Sequence, residues 1–209
     1  MTTRLVVVSA GLSNPSSTKL LADRLTAATV EALEDVEVTH VELRHLAHQL
    51  TDQLLTGFPG PELAAAEAAA AAADGLVVVT PVFSASYSGL FKTFFDVLEA
   101  GSLDGTPVLV AATAGTARHS LVLEHALRPL FTYLHAVVVP TGVFAATDDF
   151  AGTDLDQRIA RAAGELAALV GKVSSADSVV TRRRTVEDEL ADVTPFEDLL
   201  RDVRPDPRG

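Results

Sequence analysis

Short runs of apolar, largely β-branched residues, separated by longer alanine- and leucine-rich segments, constrain this chain more than any other feature. The runs "LVVV", "GLVVVT", "PVLVAAT" and "AVVVP" barely alternate with polar residues. A strand of that kind must be covered on both faces, which is the condition of a parallel sheet with helices on each side. The intervening segments repeat their apolar residues at helical spacing, and the alternation describes βαβ units. The expected strands are Arg4–Val8, Val36–Leu43, Gly75–Thr80, Pro107–Thr113 and Ala136–Pro140. The expected helices are Ser16–Leu33, Pro61–Ala73, Gly89–Ala100, His119–Leu134 and Leu155–Val173. "PELAAAEAAAAAA" has the look of low complexity, but alanine is the strongest helix former, so a helix packed closely on the sheet is expected there. Aromatic residues are only 5% of the 209, against 48% hydrophobic overall, so the core must be built from Ala, Val and Leu.

Five parallel strands with interleaved helices fit an α/β, doubly wound, flavodoxin-like sheet of order 2-1-3-4-5. One domain over residues 1–174 accommodates it, and residues 175–209 form a C-terminal tail. In such a sheet ligands bind beyond the carboxyl ends of the strands, close to the point where the strand order reverses. The loops that matter follow the first, third and fourth strands and read "SAGLSNPSSTK", "PVFSASYSG" and "ATAGTARHS". All three are rich in Ser, Thr, Gly and Ala and have scarcely a carboxylate.

That is unusual in a chain with 28 acidic residues and a formal net charge of -12. Such a balance argues against nucleic acid or an anionic membrane as partner, since phosphate backbones demand clustered Lys and Arg. Yet between Leu5 and Ala22 there is no Asp or Glu at all. Pro15, Ser16, Ser17 and Thr18 lead there into a helix, whose first N–H groups and dipole form a ready anion site, with Lys19 close by. Ser16 or Ser17 simply capping the helix is the plainer alternative. The nucleoside-triphosphate signature G-x-x-x-x-G-K-[ST] is absent, as is the dinucleotide fingerprint G-x-G-x-x-G. A hydroxyl-rich loop in this topology suits the single phosphate of FMN. The absence of cysteine removes thiolate nucleophiles, thiolate metal sites and disulfides together. The opening "MTTRLVVVSAG" has too short an apolar run for a signal peptide, and no segment approaches the ~18 apolar residues of a membrane helix, so a cytoplasmic protein is expected.

From Leu5 to Val173 the sequence resembles the NAD(P)H-dependent FMN reductases. Pro81, Phe83, Ser86, Gly89, Lys92 and Asp96 match the family pattern P-x-[YF]-x-x-S-x-x-G-x-x-K-x-x-x-D. "PSST" is similar to the phosphate loop, and "TAGTARHS" with "ALRPLF" to the third flavin loop and its helix. More narrowly, the chain resembles a branch of reductases that supply reduced FMN to a luciferase-like monooxygenase. The resemblance implies FMN and NAD(P)H as cofactors, a homodimer or tetramer, and a monooxygenase as partner. It makes Ser9, Leu12, Ser16, Ser17 and Thr18 flavin-binding residues, with Ser16, Ser17 and Thr18 at the phosphate. Pro81, Val82, Phe83, Ser84 and Ser86 would also bind the flavin, with Val82, Phe83 and Ser84 presenting amides to the ring edge. Thr113, Ala114, Gly115 and Thr116 would do so too, with Gly115 and Thr116 at the pyrimidine side. Ser86 and Tyr87 are expected to reach back to the phosphate loop. Two departures stand out: Gly11–Leu12 offers no first-loop arginine, and Phe83 replaces a tyrosine.

Hydride transfer between nicotinamide and flavin requires no protein acid, base or nucleophile, so no catalytic side chain is expected. Lys92 and Asp96, four apart on a helix, read as a structural ion pair or subunit contact. His45 and His48 lack a metal-binding pattern, and no metal is expected. His119 opens the helix after the third loop, near the ring. Asp148 and Asp149 have no accompanying nucleophile motif. The rival readings are a quinone or azo reductase that retains FMN, a flavodoxin-type electron carrier, and a fold that has lost its ligand. A carrier typically clamps its flavin between aromatic rings, and this chain has no Trp and only Tyr87 and Tyr133. In the tail, "TPFEDLLRDV" has a capping box and one apolar stripe, the pattern of a short docking helix.

Overall fold

The computed structural model describes residues 2–173. The tail, with its "TPFEDLLRDV" and the expected boundary after residue 174, lies outside them. The sheet is parallel, with strands β1 (Thr3–Ser9), β2 (Val36–Glu42), β3 (Gly75–Phe83) and β5 (Pro107–Ala114) in the spatial order β2-β1-β3-β5. Its fifth position is filled by two pieces, β6 (Val137–Val138) on the start of β5 and β7 (Val143–Ala146) on its end. The topology is therefore the expected doubly wound, flavodoxin-like one, with the last strand interrupted.

The interruption has a chemical cause. Pro140 has no N–H to donate to the ladder, so the strand expected at Ala136–Pro140 ends early and a new one begins after Gly142. The polar groups freed there find side chains: Arg128 donates to the carbonyls of Val139 (2.8 Å) and Pro140, and Glu165 accepts from the Thr141 N–H (2.7 Å) and Oγ1 (2.8 Å).

The apolar runs divide as their two-residue period requires. Val6, Val8, Leu76, Val78, Val108 and Val110 point to one face, beneath α2 (Leu43–Thr56), α3 (Pro61–Ala71) and α4 (Gly89–Val97). Leu5, Val7, Val77, Val79, Leu109 and Ala111 point to the other, beneath α1 (Ser17–Ala32) and α6 (Asp154–Val173). The edge strand β2 is mostly exposed and carries Glu37, Thr39 and His40 outward, as an edge that resists pairing should.

α2 is a helix that the sequence reading lacks. Leu43, expected to end a strand, instead starts the helix, and Leu43, Leu46 and Leu50 form its narrow buried stripe. The helix stops at Gly57, whose φ of 80° is the left-handed conformation that closes many helices. The expected helix His119–Leu134 is also different. It is a 3₁₀ turn (Ala117–His119), a π-helical turn (Leu123–Leu127) and a short α5 (Arg128–Tyr133).

β3 runs three residues beyond its expected end and turns back as a hairpin with β4 (Ser86–Tyr87), pairing Val82 with Tyr87 and Phe83 with Ser86. Its two-residue loop, Ser84 (φ 48°) and Ala85 (φ 68°), is left-handed at both positions, the geometry of a tight hairpin turn. Ala85 has a Cβ that disfavours this region by about 1–2 kcal/mol. Ala85→Gly is expected to raise the melting temperature by about 2 °C, the relief exceeding the extra chain entropy of glycine; a lower value by calorimetry would show that the turn is not strained.

Candidate functional site

Three loops meet at the carboxyl edge of β1, β3 and β5. The first is anchored at its base, where the Ala10 N–H donates to the Val79 carbonyl at 3.0 Å. Gly11 is buried, and a Cβ on it would lie 2.2 Å from Ser16 Oγ, so only glycine lets the loop fold so closely onto the start of α1. Ser16 is the cap of α1, its Oγ accepting from the Lys19 N–H at 3.2 Å. The plainer reading of Ser16 therefore holds for its hydroxyl. Ser17 is exposed, and the N–H groups of Ser17 and Thr18 meet no acceptor among the described residues, as first-turn donors have none within the helix.

The Thr18 hydroxyl departs from expectation. It is buried and hydrogen-bonded to Thr113 Oγ1 at 2.8 Å, so it ties the first loop to the end of β5. Thr113, expected at the ring, is likewise turned inward, 3% exposed.

The second loop is braced from beneath. Thr80, fully buried, accepts from the Ser88 N–H (3.0 Å) and donates to the Pro81 carbonyl (3.0 Å). Ser88 in turn caps α4 by accepting from the Phe91 N–H at 3.2 Å. These bonds hold the hairpin while leaving Phe83, Ser84 and Ala85 exposed at its tip, and Pro81, Val82 and Ser86 half-buried. Tyr87 does not reach back to the phosphate loop; its ring packs 5.9 Å from that of Phe91 and belongs to the core. Sequence reading missed this because the hairpin places Tyr87 opposite Val82, on the inward side.

The third loop is open. Ala114 is half-buried, and residues Gly115 to Ser120 are all exposed. A Cβ built on Gly115 meets nothing within 4 Å. Arg118 and His119 project from the 3₁₀ turn, and His119 is in a turn, not at the start of a long helix.

Charge is distributed unevenly around these loops. Lys19, expected to favour an anion, is 3.2 Å from both Glu42 and Asp23, and its bond to Glu42 first, then that to Asp23, holds the ammonium above its usual range. Arg4, Arg24, Arg128, Arg158 and Arg161 each pair with a carboxylate. Among the described residues, Arg44 and Arg118 are the arginines that do not, and both border the loops. Arg44 comes from the first turn of α2 and donates to the Ser13 carbonyl at 3.3 Å. A cavity of about 190 Å³ opens there, lined by Ser9, Gly11, Ser13, Ser16, Lys19 and Arg44 among others. The sequence signal for Arg44 was the missed helix; without α2, nothing brings residue 44 to the first loop. Leu12 lies exposed on the same loop.

Several of the other titratable groups pair within the fold. Lys92 pairs with Asp96 on the surface of α4. His45 is 3.7 Å from Glu42, and no group of His, Asp and Glu among the described residues could hold a metal. Asp149 accepts from the Ala146 N–H at 2.8 Å and lies 3.6 Å from Arg158. No helix among the described residues is long and apolar enough to cross a membrane.

The family model described as NADPH-dependent FMN reductase matches residues 3–151. An FMN reductase (NADPH) of Pseudomonas aeruginosa is 39% identical over 173 residues, covering 80% of this chain and 92% of its own. The NADH-dependent FMN reductase SfnF of Pseudomonas fluorescens is 39% identical over 165 residues, covering 79% and 88%. Among solved structures, an oxidoreductase from Corynebacterium diphtheriae superposes with a TM-score of 0.80 at 52% identity, over 82% of this chain and 98% of that one. The apo form of the NADH:FMN oxidoreductase EmoB superposes with a TM-score of 0.73 at 30% identity, over 80% and 89%.

Proposed function

The chain belongs to the NADPH-dependent FMN reductase family, and from that premise we propose that its three carboxyl-edge loops hold FMN with the phosphate on the first and the ring against the other two. The protein is an NAD(P)H:FMN oxidoreductase that moves a hydride from nicotinamide to flavin. The observation that carries the placement is the pair of free N–H groups at Ser17 and Thr18, in a loop closed by Gly11 and free of carboxylates. A helix start of this kind favours a phosphate. The open space at Gly115 and the small exposed tip Ser84–Ala85 suit a flat ring.

Bound FMN supplies the hydride acceptor, and the chain's own residues bind and orient. Ser17 and the N–H groups of the first turn fix the phosphate. The amides of Val82, Ser84, Gly115 and Thr116 would meet the ring edges, while Thr80 and Ser88 brace the second loop. The Thr18–Thr113 bond sets the spacing between the phosphate end and the pyrimidine side. Arg118, exposed and without a carboxylate partner among the described residues, is the cation we assign to the phosphates of the dinucleotide. Leu12 (50%), Phe83 (48%) and Leu121 (62%) are apolar and exposed around the same edge. They support release of reduced FMN to a partner monooxygenase docked there. Assembly as a homodimer or tetramer belongs with this reading.

Two measurements test it. Fluorescence quenching is expected to give an affinity for FMN at least tenfold above that for riboflavin, because each charge-assisted bond to the phosphate contributes about 1.5–3 kcal/mol. Ser17→Ala should weaken FMN roughly tenfold with riboflavin unchanged; equal affinities for the two flavins in the parent protein would remove the phosphate from this loop. Arg118→Gln is expected to raise the KM for NADH and NADPH about tenfold with kcat and FMN affinity retained, the pattern of a lost binding contact. An unchanged KM would place the dinucleotide elsewhere.

A further inference from the structure

We propose that Arg44 supplies the positive charge of the FMN phosphate site, from outside the phosphate loop. The inference rests on the flavin reading of the first loop and adds a residue to it. A phosphate monoester carries close to two negative charges at neutral pH. The first loop offers amides and hydroxyls to meet them, with Lys19 as its one cation, and the protein as a whole has a formal net charge of -12. Lys19 does not fill the gap. Its ammonium is shared between Asp23 and Glu42, so that trio is net negative. Nor does His45, which faces Glu42 at 3.7 Å.

Arg44 differs from these in two respects. It has no carboxylate partner among the described residues. Like Lys19, His45 and Glu42, it lines the cavity that Ser9, Gly11 and Ser16 also line. It is held there: Nη1 donates to the Ser13 carbonyl at 3.3 Å, while the other N–H groups of the fork remain available. The position follows from packing. Leu43, fully buried, pins the start of α2 on the sheet, and with Leu46 and Leu50 inward the next residue, Arg44, is set outward toward the loop. A planar guanidinium presents paired donors that match phosphate oxygens, and it stays charged at any working pH.

The test compares Arg44→Gln and Arg44→Lys in the full-length protein, with dissociation constants for FMN and riboflavin at low and at moderate salt. Glutamine keeps a polar N–H donor but carries no charge; lysine keeps the charge. The expected result is a roughly tenfold loss of FMN affinity in Arg44→Gln, a flatter salt dependence, and no change for riboflavin. Arg44→Lys should stay within about threefold of the parent. Parent-like FMN binding with parent-like salt dependence in Arg44→Gln would overturn the proposal. So would equal losses for both flavins, which would make Arg44 a brace for the loop. If the parent protein itself binds the two flavins equally, the phosphate assignment of the first loop fails first and this one with it; a parent preference that is undiminished in Arg44→Gln overturns the role of Arg44 alone.

Discussion

Gly115→Asp is expected to leave the protein folded and to abolish both FMN binding and FMN-dependent oxidation of NAD(P)H. The position is exposed, and a Cβ there meets no atom within 4 Å, so the fold has room for the larger side chain. The melting temperature should therefore shift by no more than about 2 °C, as for a surface substitution. The ligand has no such room if its ring lies against the third loop. A carboxylate pressed against a heterocycle loses its water without gaining a partner, which costs several kcal/mol. That corresponds to a loss of more than about 100-fold in affinity. Gly115→Ala separates bulk from charge and should cost less than the aspartate. Flavin titration together with a thermal melt checks both halves. An aspartate variant that folds and binds FMN as before would move the ring away from residue 115.

Phe91→Ala is expected to have the largest effect on stability. Phe91 is fully buried at the start of α4, and its ring lies 4.8 Å from that of Phe95, 6.2 Å from Phe131 and 5.9 Å from Tyr87. In a chain with so few aromatic residues, this cluster joins α4, α5 and the hairpin of the second loop. Truncating a buried phenylalanine typically costs about 3–5 kcal/mol. For a domain of this size that is roughly a 6–20 °C fall in melting temperature. Tyr87 rests on Phe91, and Tyr87 opposite Val82 sets the hairpin, so FMN affinity should fall as well. Phe91→Leu fills most of the space and should lose about a third as much. A denaturant midpoint unchanged in Phe91→Ala would mean that the cluster does not tie these elements together.

The legible part of the fold was the part governed by period and coverage. The runs at Leu5–Val8, Leu76–Val79 and Val108–Ala112 could only be buried strands, and the structure splits each residue by residue between the two layers. What escaped was governed by single residues or by weak amphipathicity. Helix α2 has only three buried leucines among polar neighbours, so the apolar stripe was too thin to separate it from the preceding strand. Pro140 divides the last strand, and a proline at the end of an apolar run reads equally well as a terminus. The π-helical turn at Leu123–Leu127 leaves no mark in the apolar spacing.

The site shows the same division. The absence of acid from the first loop and the small residues of the other two are composition, and they were legible without the fold. The partners of individual hydroxyls are geometry. Thr18 looked like a phosphate donor because of its place in "PSST", but the end of β5 comes close enough for Thr113 to engage it. Arg44 was out of sight for the converse reason: it lies 31 residues from Ser13 in sequence, and only the turn into α2 brings it to the loop.

A crystal structure of the protein with FMN bears most directly on the central claim. The account predicts the phosphate on the N–H groups of Ser17 and Thr18, with one ring edge along residues 82–84 and the pyrimidine side along Gly115 and Thr116. A phosphate bound anywhere other than the first loop, or a ring outside the second and third, would contradict it.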